Sequence, residues 1–282
     1  HIIAASNALI RHNRDRMKNA HPICINRERA PNLPCGRWTE LDPVSKGRVQ
    51  IVSVRDQLHQ AAYVKSEIDR IRHLDPNAKW GDFSVLSRTK APLAAVRSVL
   101  EKAGYPLKAV FENGLSIYRV REIRTAIKWL MEKEKENCRA SELETGLSEI
   151  PKSTITNIWW QLTDSFLEAY REETTDSILP VSWMIDRLYE FLAEQRREKV
   201  MGQGIFLSTI HSAKGMEFPN VFVLDGDWRQ PKGNAQREEE RRVMYVGMTR
   251  AEEILRLLKI PRKANPFLNE IKGDFAIPLT YR

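Results

Sequence analysis

The sequence STIHSAKGMEF at residues 208–218 places polar side chains between two apolar runs. IFLSTI precedes the polar loop and VFVL follows it, and short apolar runs of this kind are typical of buried parallel strands. The loop therefore follows the carboxyl end of a strand, where open α/β sheets bind ligands. Its hydroxyl, imidazole and ammonium groups suit phosphate oxygens, and Gly215 permits a close backbone approach. On this chemistry alone, a phosphate-binding loop and a polar surface turn both remain open.

Apolar periodicity elsewhere predicts alternating strands and helices. Strands are expected at 47–54 and 82–88, each followed by an amphipathic helix. The first helix carries Leu58 on its apolar face together with Ala61, Ala62, Val64, Ile68 and Ile71; the second has Pro92 in its first turn and Gly104 at its end. This alternation implies βαβ units and a mainly parallel α/β sheet. Further expected elements are a helix at 2–14, a short strand at 21–26 and a loop at 29–36.

The pattern turns almost wholly helical before strands return at residue 204. We therefore expect one α/β domain, formed by 1–130 and 205–282, with a helical insertion at 131–204. In the insertion, an apolar stripe contains Ile155, Ile158, Trp159, Leu162 and Phe166. Trp159, Trp160 and Trp183 could stack on nucleic-acid bases, but a core role is favoured. The charged run EKEKEN at 132–137 is interpreted as a solvated helix face.

Composition narrows the class of protein. Among 282 residues, Lys and Arg number 45 against 37 Asp and Glu, and the net charge of +8 favours polyanionic partners. Three cysteines without CxxC pairing favour reduced thiols in a cytoplasmic protein and argue against a metal site. No apolar run approaches the roughly 18 residues of a membrane span. Because the chain opens without Met and already in a helical rhythm, we expect it to be cut from a longer protein.

A second informative stretch is REEERRVMYVGMTRAEEIL at 237–255. Glu238, Glu239 and Glu240 are expected to complement the N-terminus of a helix. Val243, Val246, Gly247 and Arg250 are expected on one apolar face. Glycine in a helix costs about 1 kcal/mol relative to alanine, which is tolerable where another group must approach closely. Arg250 is open to two interpretations, a ligand-binding arginine and a buried arginine paired with a nearby glutamate.

Three stretches together resemble the UvrD/Rep/PcrA group of superfamily 1 DNA helicases. LSTIHSAKGMEF at 207–218 resembles their motif V, EEERRVMYVGMTRAEE at 238–253 their motif VI, and DFSVLSRT at 82–89 their motif IV. The segment at 112–130 matches less well. The resemblance implies a RecA-like fold, with helices on both faces of a mainly parallel sheet.

In that family, two RecA-like lobes hold ATP with Mg²⁺ between them. The motor moves along single-stranded DNA, usually 3′ to 5′, and unwinds duplex at single-strand/double-strand junctions. The first lobe supplies the P-loop, and the present sequence contains no GxxxxGK[ST]. The resemblance therefore implies a second motor lobe that works with an N-terminal lobe of the same polypeptide, with no membrane association, and that is inactive as an ATPase alone.

The resemblance also assigns roles to individual residues. Arg88 and Arg250 correspond to the two arginines that reach the γ-phosphate. Glu217 matches the carboxylate that accepts a hydrogen bond from the ribose hydroxyl, and Gly215 lies beside it in the nucleotide-binding loop. The residues that match contacts to the DNA backbone are Thr209, His211 and Ser212.

Several alternatives stay open. Lys214 and Gly215 have a second interpretation as residues that only shape the loop. Arg241 and Arg242 are interpreted as salt-bridge partners of Glu238 and its neighbours. Tyr245 is expected to pack against the sheet. The insertion is shorter than in familiar members of the family, which leaves self-inhibition and duplex contacts open.

For the whole chain, the alternative is a non-catalytic nucleic-acid-binding or protein-interaction module. A nuclease lacks support because no cluster of Asp, Glu and Lys accompanies the motor motifs.

Overall fold

The chain is divided into two units, and the first is made of two separate stretches of sequence. The computed structural model describes residues 1–14, 24, 36–110, 120–150, 158–198, 200–201, 204–228, 233–261, 265–271 and 273–281. The first unit comprises His1–Val99 and Gly204–Arg282, and the second comprises Leu100–Gln203. The second unit therefore begins at Leu100 rather than at the expected residue 131. The difference arises because the helix before residue 131 packs against the helices of the insertion.

The described residues form these elements in chain order. The helices are α1 (Ile2–Ile10), α2 (Trp38–Leu41), α3 (Gln57–Leu74), α4 (Ala91–Lys102), α5 (Arg121–Glu132), α6 (Ala140–Ser148), α7 (Ile158–Thr174), α8 (Val181–Glu198) and α9 (Asn234–Met248). The strands are β1 (Val49–Ser53), β2 (Phe83–Ser87), β3 (Leu107–Val110), β4 (Asn137–Cys138), β5 (Leu179–Pro180), β6 (Val200–Met201), β7 (Ile205–Thr209), β8 (Phe218–Val223), β9 (Ala251–Lys259) and β10 (Ala276–Thr280). Short 3-10 helices lie at Trp80–Asp82 and Pro266–Glu270.

The first unit is built on a parallel sheet. Its described strands follow the order β10-β1-β9-β8-β2-β7, and each of the five pairings between neighbours is parallel. All five residues of β2 are buried, as an apolar run in a sheet covered on both faces predicts. Because the strands are parallel, their carboxyl ends share one edge of the sheet. The expected α/β class with a mainly parallel sheet is confirmed.

Helix α3 shows how local sequence sets the position of an element. The Asp56 carboxylate accepts a hydrogen bond from the His59 N–H at 2.9 Å and caps the helix. Val64 and Ile71 are buried, whereas Leu58 is 69% exposed, so its expected place on the apolar face is wrong. At 3.6 residues per turn, Leu58 lies on the opposite side of the helix from Val64 and Ile71.

A buried network of charges links α3, β9 and the turn after α2. The Arg256 guanidinium, fully buried on β9, donates to Glu67 Oε1 at 3.1 and 3.2 Å and to Ser45 Oγ at 3.1 Å. Arg70 donates to both carboxylates, Glu67 at 2.7 and 2.8 Å and Asp42 at 2.9 and 3.0 Å. Burial opposes ionisation of Asp42, but hydrogen bonds from Arg70 and Ser45 outweigh it and lower the pKa of the carboxyl. The network therefore fixes α3 against the sheet only while all its charges are paired.

The second unit is largely helical. Helix α5 packs against α7 and α8, and α6 packs against α7. The helical character of residues 131–204 was expected from the sequence. β3 pairs with β6, and β4 with β5, both in antiparallel fashion. The run at 132–137 is mostly exposed, as expected, but after Glu132, the last residue of α5, it forms a turn and the start of β4 rather than a helix face.

The tryptophans of the second unit divide between core and surface. A core role is confirmed for Trp160, which is 5% exposed, and for Leu162 and Phe166 of the stripe, which are buried. Trp159, in the middle of the stripe, is only partly buried. Trp183 is 60% exposed, so the core role expected for it is wrong. The described residues do not include the strand expected at 21–26 or the loop expected at 29–36, apart from positions 24 and 36. They also do not include Ile155 or the side chain of Ile158. Along the described chain, no helix has the length and apolarity of a membrane span.

We expect Arg256→Leu to lower the free energy of unfolding by about 3–5 kcal/mol, because removing one partner leaves Glu67 and Asp42 with less compensation in the interior. Chemical denaturation measures the loss. Arg55→Ala is the control, since Arg55 is 75% exposed in its pair with Asp56, and it should cost about 1 kcal/mol or less. Equal effects of the two variants would contradict a stabilising role for the network.

Candidate functional site

The polar loop follows β7 at the carboxyl edge of the sheet. Its first residues turn tightly, because Ser212 N and Ala213 N donate to the carbonyl oxygen of Thr209 at 3.1 and 3.2 Å. The hydroxyls of Thr209 and Ser212 lie 3.1 Å apart. The side chains of His211 and Lys214 are exposed. The turn thus places one hydroxyl pair, one imidazole and one ammonium group beside solvent.

The second half of the loop leaves space for a ligand. Gly215 has a φ of +86°, which favours glycine, and beyond the two adjacent residues no protein atom lies within 4 Å of the position that a Cβ would occupy there. Glu217 is exposed, and no described residue hydrogen-bonds to its carboxylate. A carboxylate beside an open backbone can accept hydrogen bonds from a bound hydroxyl group.

Helix α9 buries a different face from the one expected. The buried residues are Glu240, Arg241, Met244, Gly247 and Met248, whereas Val243, Val246 and Arg250 are only partly buried. The expected face was therefore wrong except at Gly247. The spacing i, i+4, i+7, i+8 from Glu240 is itself a helical face, but the charge of Glu240 and of its buried neighbour Arg241 hid this face from an apolar pattern.

Gly247 brings α9 against the polar loop. A Cβ at this position would lie 3.0 Å from Cδ1 and 3.2 Å from Cγ1 of Ile210, the first residue of the loop. Ile210 is itself held, because its N–H donates to the carbonyl oxygen of Ser87 at 2.9 Å. The close approach that would justify a glycine in this helix is thus made by an isoleucine side chain.

Arg250 is oriented by uncharged acceptors. Its Nη1 donates to the carbonyl oxygen of Met216 at 2.8 Å, its Nε to the carbonyl oxygen of Val246 at 3.1 Å, and its Nη2 to Thr249 Oγ1 at 3.1 Å. Within the described part of the chain, no carboxylate pairs with this guanidinium. Pairing with a nearby glutamate is therefore not what holds Arg250. The contact with Met216, between Gly215 and Glu217, joins the arginine to the polar loop.

Arg88 has the opposite environment. It follows β2, and its Nε and Nη2 donate to the two carboxylate oxygens of Glu240 on α9 at 2.8 and 2.7 Å. These hydrogen bonds with Glu240 raise the pKa of the Arg88 guanidinium further. Of the two expected phosphate-binding arginines, Arg88 is the one that has a carboxylate partner.

The three glutamates of α9 do not serve the helix N-terminus. The helix begins at Asn234, so its first turn contains no acidic residue. Glu238 instead accepts the N–H of Arg14 at 2.9 Å, and Glu240 binds Arg88. The expected helix start was too late because the residues before 237 gave no apolar signal.

Arg241 and Arg242, which follow the three glutamates in the chain, pair with different residues. Arg242 pairs with Glu238 at 3.8 Å, as expected. Arg241 binds Glu270 at 2.6 and 2.8 Å and the side-chain oxygen of Asn13, so it links the segment after α1 and the 3-10 helix at Pro266–Glu270 to α9. Tyr245 is half-buried, and burial raises the pKa of its hydroxyl.

The predicted residues thus gather around α9. Arg250 contacts the loop that contains Gly215 and Glu217, and Arg88 is bound to the same helix through Glu240. Glu240, Ile210 and Met216 are site residues that the sequence patterns did not predict. Met216 acts through its backbone carbonyl, which no side-chain pattern can reveal. The described residues hold no group of three or more His, Cys, Asp or Glu side chains arranged for a metal ion.

Comparison with known proteins bears on this arrangement. Residues 167–260 match the family of the UvrD-like helicase C-terminal domain. The resemblance to UvrD-like helicases is thereby confirmed. The UvrD-like region contains the polar loop, α9 and Arg250, whereas Arg88 lies outside it.

Individual relatives agree over a shorter stretch. The ATP-dependent DNA helicase PcrA of Bacillus subtilis (strain 168) is 44% identical over 71 residues, which is 23% of this chain and 10% of that protein. The PcrA of Staphylococcus aureus (strain MRSA252) is 43% identical over 60 residues, or 18% of this chain and 8% of that protein. The aligned stretch therefore spans no more than a tenth of these helicases.

A solved structure was also found. The C-terminal domain of a possible DNA helicase from Lactobacillus plantarum WCFS1 is 15% identical, with a TM-score of 0.37, over 86% of this chain and 92% of that one. At this TM-score, the match adds nothing to the argument about the UvrD-like region.

We expect Gly247→Leu to destabilise the first unit by about 1–3 kcal/mol, because the larger side chain must displace Ile210. A double-mutant cycle with Ile210→Ala measures the contact: the double variant should be more stable than the sum of the single effects by about 0.5–3 kcal/mol. Val243→Leu, at a partly buried position of the same helix, is the control and should change stability by about 0.5 kcal/mol. Simple additivity would show that Ile210 and Gly247 do not restrain one another.

Proposed function

We propose that this chain is the second motor lobe of an ATP-dependent DNA helicase, which couples ATP hydrolysis to movement on single-stranded DNA and to unwinding of the duplex, with 3′ to 5′ polarity. In this proposal an N-terminal RecA-like lobe of the same polypeptide supplies the P-loop and the Mg²⁺ ligands. The present lobe completes the site, and it does not hydrolyse ATP alone. The family match at 167–260 and the names of the PcrA relatives support the class of enzyme.

The environment of Arg250 is the observation that carries the proposal. A guanidinium is permanently charged and binds phosphate oxygens through pairs of N–H groups. Arg250 is held in place by two carbonyls and a hydroxyl, and none of these neutralises its charge. It therefore remains available for an anionic ligand, and the γ-phosphate of ATP is the ligand that the family resemblance implies. An arginine of this kind contributes about 10³ to 10⁵ to the rate, or roughly 4–7 kcal/mol of barrier.

The loop next to Arg250 supports two further roles. Glu217, exposed beside the open Gly215, is suited to accept a hydrogen bond from the ribose of ATP. Thr209, His211 and Ser212, at the other end of the same loop, offer donors for DNA phosphates. Because the loop is short and held by Arg250 and Ile210, nucleotide at one end and DNA at the other would act on the same few residues. This is the physical basis we propose for coupling.

In the full-length protein, we expect Arg250→Ala to bind ATP but to hydrolyse it at least about a hundredfold more slowly, because the charge on the γ-phosphate loses its stabilisation. DNA-stimulated phosphate release measures turnover, and equilibrium binding of a non-hydrolysable analogue measures affinity. Arg242→Ala is the control, since Arg242 is 43% exposed in its pair with Glu238, and it should retain near-normal turnover. Near-normal turnover of Arg250→Ala would contradict the proposal and favour a non-catalytic module.

DNA binding provides a separate test. Contacts with the DNA backbone should weaken steeply as salt rises, with a slope of about −0.7 per phosphate neutralised on a single strand. We expect His211→Ala in the full-length protein to weaken binding of single-stranded oligonucleotides by about tenfold, the value of roughly one hydrogen bond to a charged group. Lys65→Ala, on an exposed part of α3 that pairs with Asp69, is the control. An affinity that does not vary with salt would exclude DNA as the ligand.

A further inference from the structure

Arg88 is paired with Glu240 at the candidate site, and the proposed function assigns no role to this pairing. The carboxylate takes the Nε and Nη2 edge of the guanidinium in two parallel hydrogen bonds of 2.8 and 2.7 Å. Both side chains are largely buried, at 18% and 9% exposed. Two-point pairing of this kind fixes the plane of the guanidinium as well as its position.

The same pairing leaves part of Arg88 available. A guanidinium has five N–H donors, and two are directed at Glu240. Among the described residues, none accepts a hydrogen bond from Nη1 of Arg88. The end of the guanidinium formed by Nη1 and the remaining N–H of Nη2 can therefore bind phosphate oxygens without breaking the pair with Glu240.

Glu240 also connects the two arginines mechanically. It lies on the buried face of α9, the helix whose Val246 carbonyl and following residue Thr249 hold Arg250. Along the helix axis, Glu240 and Val246 are separated by six residues, or about 9 Å at 1.5 Å per residue. A shift of α9 would therefore move the supports of Arg88 and Arg250 together.

We propose that Glu240 is a positioning residue for ATP hydrolysis, which orients Arg88 so that its unpaired end faces the γ-phosphate. This inference rests on the proposed function. Glu240 does not touch the nucleotide. Its negative charge offsets part of the attraction between Arg88 and ATP, so Glu240 aids the orientation of Arg88 without strengthening the binding of substrate.

This role makes a specific kinetic prediction for the full-length protein. Glu240→Gln retains the size of the side chain but cannot accept both hydrogen bonds, so Arg88 loses its fixed plane. We expect kcat to fall about tenfold to a hundredfold, the range in which small misplacements of a positioned group act. KM for ATP should stay within about threefold or decrease, because a negative charge near the triphosphate has been removed. Glu239→Gln, the same change of charge at the exposed neighbour, should leave both parameters near wild type.

A double variant tests whether Glu240 acts through Arg88. We expect Arg88→Ala with Glu240→Gln to be no slower than Arg88→Ala alone, because residues that act as one unit are not additive. Thermal unfolding of every variant is measured alongside. If Glu240→Gln does not fold, Glu240→Asp keeps the charge while drawing the carboxylate back, and the same fall in kcat at unchanged KM is expected.

The possible outcomes separate this inference from the proposed function. If Arg88→Ala and Arg250→Ala both hydrolyse ATP normally, the proposed function is wrong. If those variants are slow but Glu240→Gln keeps kcat within about twofold, only the positioning role is overturned. Additive losses in the double variant, or a raised KM at unchanged kcat, would also overturn it.

Discussion

Helix α9 is the part of the first unit on which the arrangement of the candidate site depends. Glu240 binds the arginine that follows β2, Gly247 admits the isoleucine that opens the polar loop, and the C-terminal end of the helix holds Arg250. These contacts come from strands that run parallel, so the segments after β2 and β7 leave the sheet at the same edge. Without the close approach at Gly247, the helix would lie farther from the loop, and the Arg250 guanidinium would be less able to reach the carbonyl oxygen of Met216.

The two arginines show how environment divides similar residues between different tasks. Arg88 is bound by a carboxylate through two parallel hydrogen bonds, which fix its orientation but offset its charge. Arg250 is bound by carbonyls and a hydroxyl, which fix its orientation and leave its charge uncompensated. In the function we propose, Arg250 contributes most of the positive charge at the triphosphate, and Arg88 contributes hydrogen-bond donors of fixed orientation.

Much of this fold follows from the sequence alone. Apolar runs such as those of β2 and β7 predict buried strands because their residues have few other stable environments. The wrong face expected for α9 has a physical cause, which is that charged residues in the interior do not carry an apolar signal. Arg256 is fully buried because Glu67 and Ser45 meet it there, and Glu240 is buried because Arg88 does. Such pairing depends on residues distant in the chain, about 150 positions apart for Arg88 and Glu240, and a single sequence does not reveal it.

The most direct measurement of the central claim is trapping of a transition-state analogue. ADP with aluminium fluoride and Mg²⁺ mimics the phosphoryl group during transfer, so it binds tightly only where the charges that stabilise transfer are in place. The account predicts that the full-length protein forms a slowly dissociating complex with this analogue. It also predicts that Arg250→Ala and Arg88→Ala lose that complex while still binding ADP. Trapping that survives in both variants would contradict the claim that this lobe contributes its arginines to the triphosphate.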